Sequence, residues 1–226
     1  MAAYGPRTVA AILVAAGDGR RLGADVPKAF VQIADRTLLE HAVARFAEHP
    51  AVRDVIVAAP AALVDSAAAL VPEAQVVAGG HTRQLSVAAA LAALADDVDT
   101  VLVHDVARPF VPVEVISRVI DALAQPGLGG AIPILPVTDT IRRADPATGD
   151  LVETLDRSTL VAVQTPQGFP RAVLVEAHAR ARGVDAGDDA ALVEAIGGRV
   201  AAVRGDEQSF KITHPWDLVL ADAVAT

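Results

Sequence analysis

Short runs of β-branched and other apolar residues recur along the chain, and each is followed by a segment with helical spacing. The runs occupy residues 9–14, 55–58, 75–78, 101–103 and 131–135. Such alternation is typical of βαβ units, in which the strands lie parallel in one sheet and the helices cover it. The sequence therefore predicts an α/β fold with a mostly parallel sheet.

The composition agrees with this prediction. Apolar residues make up 53% of the 226 residues and aromatic residues only 3%, so Val, Leu, Ile and Ala must build the core. Such a core suits strands that are buried between helices. A chain of this length is sufficient for one generous domain, and we predict that residues 1–226 form a single domain.

The clearest predicted helix covers residues 37–46, with Thr37 as its N-cap and the apolar residues on one face. The other predicted helices cover 83–94, 113–123, 171–181, 188–196 and 214–225, the last with Pro215 in its first turn.

Residues 141–157 interrupt this rhythm. A Pro-Ala-Thr-Gly turn at 146–149 separates two polar, alternating segments, which is typical of a β-hairpin. Two interpretations remain open: a solvated surface hairpin, or an arm that reaches a second subunit through its strand edges.

Charge and composition exclude several classes of function. A net charge of −9 argues against a nucleic-acid partner, and the absence of cysteine excludes disulfides and thiolate metal sites. No apolar run approaches the roughly 18 residues of a membrane span. Residues 7–16 slightly resemble a signal peptide, but glycines and paired arginines follow at once. We therefore expect a cytoplasmic protein with no membrane partner.

The first candidate site is the segment VAAGDGRRLG at 14–23. Glycines directly after a strand allow backbone N–H groups to face an anion, although an ordinary βα turn has the same composition. Leu22 stands where a dinucleotide-binding fingerprint needs its third glycine, and no Gly-Lys-Ser/Thr sequence marks a P-loop. Lys28 adds a further cation just beyond the loop. A phosphate-binding loop is the interpretation that we adopt.

The second candidate is Asp105, which directly follows an apolar strand in VLVHDVARP. In open α/β sheets ligands bind at the carboxyl ends of strands, and a carboxylate beside phosphates favours Mg²⁺. The alternative is a turn-capping Asp105 that pairs with Arg108. His104 has no partner that the sequence reveals, and we interpret it as structural.

A third candidate is GGHTRQLSV at 79–87, where a strand ends in glycines and a helix begins. This helix start suits an anion, although a plain strand-to-helix turn explains the glycines equally well. Four isolated polar residues, each of which is compatible with a surface position, complete the candidates: Thr140, Arg157, Thr165 and Lys211.

Together these segments resemble the 2-C-methyl-D-erythritol 4-phosphate cytidylyltransferase family. The resemblance extends in order over nearly the whole chain, through AAGDGRRLG, PKAF, LLEHAV, GGHTRQLSV, VLVHDVARPF, PVTDTI, LDRSTL, QTPQGF, GDDAALVE and FKITHPWDL. It implies a Rossmann-like nucleotidyltransferase fold with three layers. It further implies a protruding β-hairpin arm at 137–158 that joins a homodimer, and Mg²⁺-dependent transfer from CTP to 2-C-methyl-D-erythritol 4-phosphate.

The resemblance also implies a role for each matching residue. Arg21 and Lys28 would stabilise the transition state, Arg157 and Lys211 would position the polyol phosphate, and Asp105 would hold Mg²⁺. Ala15, Ala16, Gly17, Gly80, Arg83 and Ser86 would surround the nucleotide. Arg108, Thr140 and Thr165 would contact the polyol phosphate, with part of that site supplied by the partner's arm.

Three positions depart from the family pattern: Val14 replaces proline, Val106 replaces alanine and Gly187 replaces threonine. Three other functions share features with this sequence. A ribitol 5-phosphate cytidylyltransferase would share the fold and the glycine loop. A nicotinamide-dependent dehydrogenase is disfavoured by Leu22 and the paired arginines. A non-catalytic nucleotide-binding module would be expected to have lost Lys28 or Asp105, and both are present.

Overall fold

The computed structural model describes residues 8–15, 22, 26–181 and 186–225. Within these ranges the strands are β1 Val9–Val14, β2 Gln32–Ile33, β3 Arg36–Thr37, β4 Val52–Ala59, β5 Gln75–Ala78, β6 Thr100–Asp105, β7 Gly130–Pro136, β8 Arg142–Ala144, β9 Leu151–Thr154, β10 Val161–Val163, β11 Gln167–Pro170 and β12 Val200–Arg204. The α-helices are α1 Leu38–Ala47, α2 Val64–Leu70, α3 Arg83–Ala92, α4 Val113–Ala122, α5 Arg171–Arg180, α6 Asp189–Ala195 and α7 Pro215–Ala225.

Eight strands form the central sheet in the order β10-β7-β11-β6-β1-β4-β5, with β12 also beside β7. Strands β6, β1, β4 and β5 are mutually parallel, and β12 is parallel to β7. Among the described strands of this sheet, only β10 and β11 run against their neighbours. The predicted mostly parallel sheet is therefore confirmed, with an antiparallel insertion between β6 and β7.

Helices cover both faces of this sheet. Along β1, Val9, Ala11 and Leu13 belong to the cluster formed with α1, α2, α4 and α7. The alternate residues Ala10 and Ile12 belong to the cluster formed with α3, α5 and α6. Because side chains alternate along a strand, one apolar run supplies two cores, and the three-layer architecture is confirmed.

Local sequence explains where the helices begin. Thr37 Oγ1 accepts a hydrogen bond from the Glu40 amide at 3.2 Å, and the Glu40 carboxylate accepts one from the Thr37 amide at 2.7 Å. This capping box satisfies two amides that have no partner inside α1. Pro215 is the first residue of α7, where its missing N–H is not needed. No described helix has the length and apolar character to cross a membrane.

The predicted hairpin is also present. Strands β8 and β9 pair antiparallel with each other, apart from the central sheet, and all of their residues are exposed. The connecting turn contains Gly149 at a φ of 78°, a conformation that favours glycine. The Asp145 carboxylate stabilises the turn because it accepts a hydrogen bond from the Ala147 amide at 2.8 Å.

The strand register places three segments at one edge of the sheet. Val14 lies opposite Asp105 on one side and Ala58 on the other, and Ala59 lies opposite Ala78. Because these strands are parallel, their carboxyl ends share an edge, and the residues that follow them lie close together. This edge carries the candidate site.

Candidate active site

Asp105, the last residue of β6, is the centre of the site. Its Oδ2 lies 2.8 Å from Nζ of Lys211, and its Oδ1 lies 3.2 Å from Nε of Arg83. Three distant parts of the sequence therefore meet at one carboxylate. The turn of the alternative interpretation is present, because the Arg108 amide donates to the Asp105 carbonyl at 2.9 Å, but the ion pairs of the described Asp105 carboxylate are with Arg83 and Lys211.

The surroundings keep Asp105 ionised. Burial by itself favours the neutral acid, but the positive charges of Arg83 and Lys211 outweigh it and hold the pKa of this carboxyl well below its usual range. The Asp105 side chain is only 12% exposed, whereas Lys211 is 42% exposed, so water screens the pair with Lys211 more than the pair with Arg83. The site thus holds a permanent negative charge within reach of two cations.

Thr165 and His104 hold the backbone of Asp105 in place through a chain of hydrogen bonds. The amide of Asp105 donates to Oγ1 of Thr165 at 3.1 Å, and that oxygen lies 3.0 Å from Nδ1 of His104. The Arg108 carbonyl lies 3.1 Å from Nε2 of His104 and can only accept, so Nε2 donates to it. Nδ1 of the neutral ring then has no proton and accepts a hydrogen bond from the Thr165 hydroxyl. Burial lowers the pKa of His104 to about 4. His104 is thus a neutral structural group, as the sequence indicated, and the surface position considered for Thr165 is wrong.

Arg108 fixes the segment that carries Lys211. Its guanidinium donates to the Ser209 carbonyl at 2.7 Å and to the Val163 carbonyl at 3.2 Å. The amide of Ile212 donates to the Ala107 carbonyl at 2.8 Å, and Ile212 itself is fully buried. Arg108 therefore positions Lys211 through two of its five N–H donors, whereas its buried Nε has no hydrogen-bond partner among the described residues.

The glycine turn at residues 79–80 lies against the start of α3. A Cβ on Gly80 would collide with the Cβ of Leu85, so this approach requires glycine. The Ser86 hydroxyl is buried and donates towards the carbonyls of Thr82 and Gly80, at 2.9 and 3.2 Å. Ser86 thus shapes the turn through its backbone carbonyls.

Arg83 is shared between two carboxylates. Besides Asp105, it contacts Oδ2 of Asp189 through Nη1 at 2.5 Å, and Oδ1 of Asp189 lies 2.8 Å from Nε2 of His178. Burial opposes the charge of Arg83, yet the two aspartates raise its pKa. The four side chains of Asp105, Asp189, Arg83 and Lys211 therefore form one ionic cluster, in which the aspartates are buried and Lys211 reaches solvent. We call it the edge cluster.

Other predicted site residues lie apart from the edge cluster. Arg157 and Thr140 are exposed at the base of the hairpin, where Arg157 donates to the Thr138 carbonyl. Among the described residues, no hydrogen bond or ion pair joins either of them to the edge cluster. Lys28 lies in a 3₁₀ turn, Lys28–Phe30, and its charge contributes to the electrostatic environment of Asp217 at the start of α7.

Ala15 follows β1 and donates its amide to the Ala58 carbonyl at 2.9 Å, so it lies at the same edge as Asp105. Residues 16–21 and 23 of the predicted phosphate-binding loop, which include Ala16, Gly17 and Arg21, lie outside the described residues.

Sequence reasoning gave no role to three buried polar residues. Asp189 completes the edge cluster. Gln164 exchanges two hydrogen bonds with the backbone of Asp206, at 2.8 and 3.0 Å. Gln167 bonds the Asp188 carboxylate at 2.7 Å and the Ala190 amide at 3.2 Å. The sequence does carry one signal for the two glutamines: Gln164 and Gln167 flank Thr165 next to the apolar run at 160–163. Polar side chains that are buried in such a segment need hydrogen-bond partners in the protein.

A three-layer α/β fold with a glycine turn and an ionic cluster at the carboxyl edge of its sheet is typical of nucleotide-binding proteins. The family model described as IspD: 2-C-methyl-D-erythritol 4-phosphate cytidylyltransferase matches residues 9–226. The chain belongs to this family.

Relatives of known name agree with this assignment. The chain is 49% identical to the 2-C-methyl-D-erythritol 4-phosphate cytidylyltransferase of Rhodococcus jostii over 98% of the chain and 97% of that protein. It is 48% identical to the bifunctional enzyme IspD/IspF of Clavibacter michiganensis, of which it spans only 54%. The crystal structure of the Thermus thermophilus cytidylyltransferase superposes with a TM-score of 0.79 at 43% identity, over 95% of this chain and 97% of that one.

Proposed function

We propose that this chain transfers the cytidylyl group of CTP to 2-C-methyl-D-erythritol 4-phosphate. The products are 4-diphosphocytidyl-2-C-methyl-D-erythritol and pyrophosphate. The observation that carries the proposal is the ionised Asp105, held between Lys211 and Arg83 at the carboxyl edge of a sheet with this family's architecture. Such an edge binds nucleotides in open α/β proteins.

The reaction requires charge neutralisation more than proton transfer. A phosphate oxygen of the acceptor attacks the α-phosphorus of CTP and forms a new P–O bond, while the bond to the bridging oxygen breaks and pyrophosphate leaves. A phosphomonoester has its second pKa at about 6, so the nucleophile is already largely ionised near neutral pH. No general base is needed. A neutral His104, used for hydrogen bonding, is consistent with this requirement.

The site residues form two groups: one would bind CTP and the other would bind the polyol phosphate. Arg21 and Lys28 would neutralise the triphosphate as charge moves to the leaving group. The backbone of Ala15, Ala16, Gly17 and Gly80, together with Arg83 and Ser86, would hold the nucleotide. Lys211, Arg157 and Thr140 would align the polyol phosphate, with Arg108 and Thr165 supporting Lys211 and Asp105.

The edge cluster fits a Mg²⁺ ion that arrives with the nucleotide. Mg²⁺ typically binds one or two carboxylates and takes its remaining ligands from phosphates and water. Asp105 is ionised, and each of its oxygens keeps a lone pair beyond its present ion pair. No group of three or more acidic or histidine side chains suited to a metal occurs in the described ranges. Asp105 would therefore be the protein ligand, and the ion would supply charge neutralisation to the triphosphate.

We also propose that the chain is a cytoplasmic, single-domain protein that forms a homodimer through the arm at 137–158. Leu151 and Val152 are 58% and 63% exposed on β9, an unusual position for two adjacent apolar side chains. Arg157 and Thr140 lie at the base of the same arm and apart from the edge cluster. An arm that crosses to a partner would carry them to the partner's acceptor site.

The proposal is tested by measuring pyrophosphate release for four nucleoside triphosphates against two acceptors, with Mg²⁺ present and withheld. We expect turnover with CTP and 2-C-methyl-D-erythritol 4-phosphate, and only with Mg²⁺. A preference for ribitol 5-phosphate would establish the alternative acceptor. Binding of CTP without turnover of either acceptor would contradict the proposed activity.

A further inference from the structure

The guanidinium of Arg83 is held from two directions. Its Nε faces Asp105 at 3.2 Å and its Nη1 faces Asp189 at 2.5 Å. The pair with Asp189 is the shorter of the two, and Asp189 is also the more buried carboxylate, with a side chain that is 1% exposed against 12% for Asp105. Arg83 is therefore fixed mainly from the side of α6.

The side chain of Asp189, the first residue of α6, does not cap that helix. The neighbouring Asp188 is the N-cap of α6 and accepts the Ala191 amide at 2.9 Å. Both oxygens of Asp189 instead face side chains from other elements: Arg83 of α3 and His178 of α5. A buried carboxylate is costly unless it is paired, and here both partners approach from outside the helix.

The charges in the edge cluster balance. Two aspartates face one arginine and one lysine, so Asp189 compensates the charge of Arg83 that Asp105 would otherwise have to compensate. An arginine has a long side chain with considerable rotamer freedom, and one contact at 3.2 Å restrains it poorly. Without Asp189, the guanidinium would be drawn towards Asp105 and would compete there with Lys211 and with incoming cations.

We propose that Asp189 is a positioning residue for nucleotide binding, acting through Arg83. Asp189 holds the Arg83 guanidinium at the edge of the site, in an orientation that allows contact with a bound nucleotide. It also balances part of the positive charge of Arg83, so that Asp105 does not have to balance all of it. The inference rests on the proposed function, in which Arg83 is one of the groups around CTP. Pre-organisation of this kind by residues behind a site is a general feature of binding centres.

Asp189→Asn tests this role because it keeps the shape of the side chain and removes its charge. Calorimetric titration with CTP should show a dissociation constant raised about tenfold, the scale typical of residues that orient a ligand-binding group. The KM for the polyol phosphate should rise less than the CTP dissociation constant, because Asp189 reaches Lys211 only through Arg83 and Asp105. A folded Asp189→Asn protein with unchanged CTP affinity would overturn the proposal.

Asp97→Asn is the control for the change in net charge, at a carboxylate that is 67% exposed. Asp97 also pairs with an arginine through both oxygens, at 2.6 and 2.9 Å from Arg53, but it precedes β6 and lies at the opposite edge of the sheet. The same chemical change there should leave CTP affinity unaltered. An equal loss in both variants would mean that net charge, and not the position of Arg83, controls binding, and would also overturn the proposal.

A second comparison guards against loss of folding in the single variant. In an Arg83→Ala background Asp189 loses its arginine and keeps only His178 as a partner, so adding Asp189→Asn removes a buried charge that has lost its principal cation. If Asp189 acts through Arg83, the second change causes no further loss of CTP affinity; a further tenfold loss would overturn the proposal. CTP binding by the wild type is measured alongside, so failure of the proposed function is recognised separately from failure of this inference.

Discussion

Lys211 and Asp105 lie 106 positions apart in the chain, yet Nζ of the lysine is 2.8 Å from Oδ2 of the aspartate. The contact joins the end of β6 to the segment before α7, and Arg108 and Ile212 hold that segment in place. A substrate anion that binds Lys211 must share the lysine with Asp105. The carboxylate and the lysine are therefore coupled parts of one site.

Asp105→Asn should therefore abolish most activity without unfolding the protein. The change leaves two cations without their shared carboxylate and removes the proposed Mg²⁺ ligand, while the Thr165 bond to the backbone amide is retained. We expect kcat/KM to fall roughly a hundredfold or more. Pyrophosphate release measures the loss, and the thermal unfolding midpoint verifies the fold. Asp97→Asn serves again as the control, and turnover near the wild-type rate in Asp105→Asn would contradict this account of the site.

Lys28→Ala should lower kcat far more than it lowers stability. Loss of one preorganised cation at a transferring phosphate typically reduces the rate about a hundred- to a thousandfold. Arg36→Ala, a change at an exposed cation in the same region, is expected to keep nearly normal turnover. Steady-state measurement of kcat for Lys28→Ala and Arg36→Ala tests this prediction. Comparable rates for the two would remove Lys28 from the catalytic group.

Gly80→Ala should weaken CTP binding through the position of α3. The added Cβ would collide with Leu85, so the first turn of α3 must move, and it carries Arg83 and Ser86. We expect a dissociation constant at least about tenfold higher by calorimetry. Gly187→Ala is the natural control, because an added Cβ there meets no described atom within 4 Å. Equal CTP affinity in the two variants would show that the turn tolerates a side chain.

Stability should decline as pH falls from about 6.5 to about 4, and His104 is a principal reason. A histidine in the unfolded chain gains its proton near pH 6.5, whereas burial lowers the pKa of His104 in the folded protein to about 4. Between these values the unfolded state binds more protons, and roughly 3 kcal/mol is lost across the window.

Urea unfolding of the wild type and of His104→Gln, each at about pH 7 and about pH 5, measures this effect. The variant should show a smaller decrease in the free energy of unfolding over the interval. His49, whose pKa burial also lowers, contributes in the same direction, so His49→Gln separates the two contributions. An unchanged slope in His104→Gln would assign the pH dependence to other groups.

Aspartates at Leu151 and Val152 should convert the proposed dimer into a monomer. Both side chains are more than half exposed on the hairpin, and charges there would prevent burial against a partner. Light scattering after size exclusion should show the mass halved. Val219→Asp, at a 56% exposed valine on α7, is the corresponding control and should retain the dimer. An unchanged mass in the arm variant would remove the arm from the interface.

The sequence predicted the elements that local chemistry determines. The apolar run of β1, the N-cap at Thr37 and the turn around Gly149 each depend on neighbouring residues, and each was found where it was predicted. The antiparallel β11 was missed because four residues that include Gly168 and Pro170 carry too little strand signal. Helix α2 was missed for a similar reason, since it has only seven residues.

The candidate site was predictable only in part, because its contacts are long-range. Parallel strand ends implied that Asp105 would lie near the glycine segments. Nothing local indicates that Arg83 meets Asp189 or that Lys211 meets Asp105, since each pair spans 106 positions. Asp188 is the N-cap of α6, whereas the position of the Asp189 side chain is defined only by the packing of α3 and α5 against α6.

The antiparallel direction of β11 also affects how acceptor specificity can change. Because β11 runs against β6, its beginning lies at the site, and residue 165 reaches Asp105 from a segment that no βα loop supplies. The segment between β7 and β10 makes no hydrogen bond to Asp105, Thr165 or His104 within the described residues. Protein engineers who wish to admit a different polyol can therefore redesign that segment, which carries Thr140 and Arg157, while residues 164–167 keep the carboxylate in place.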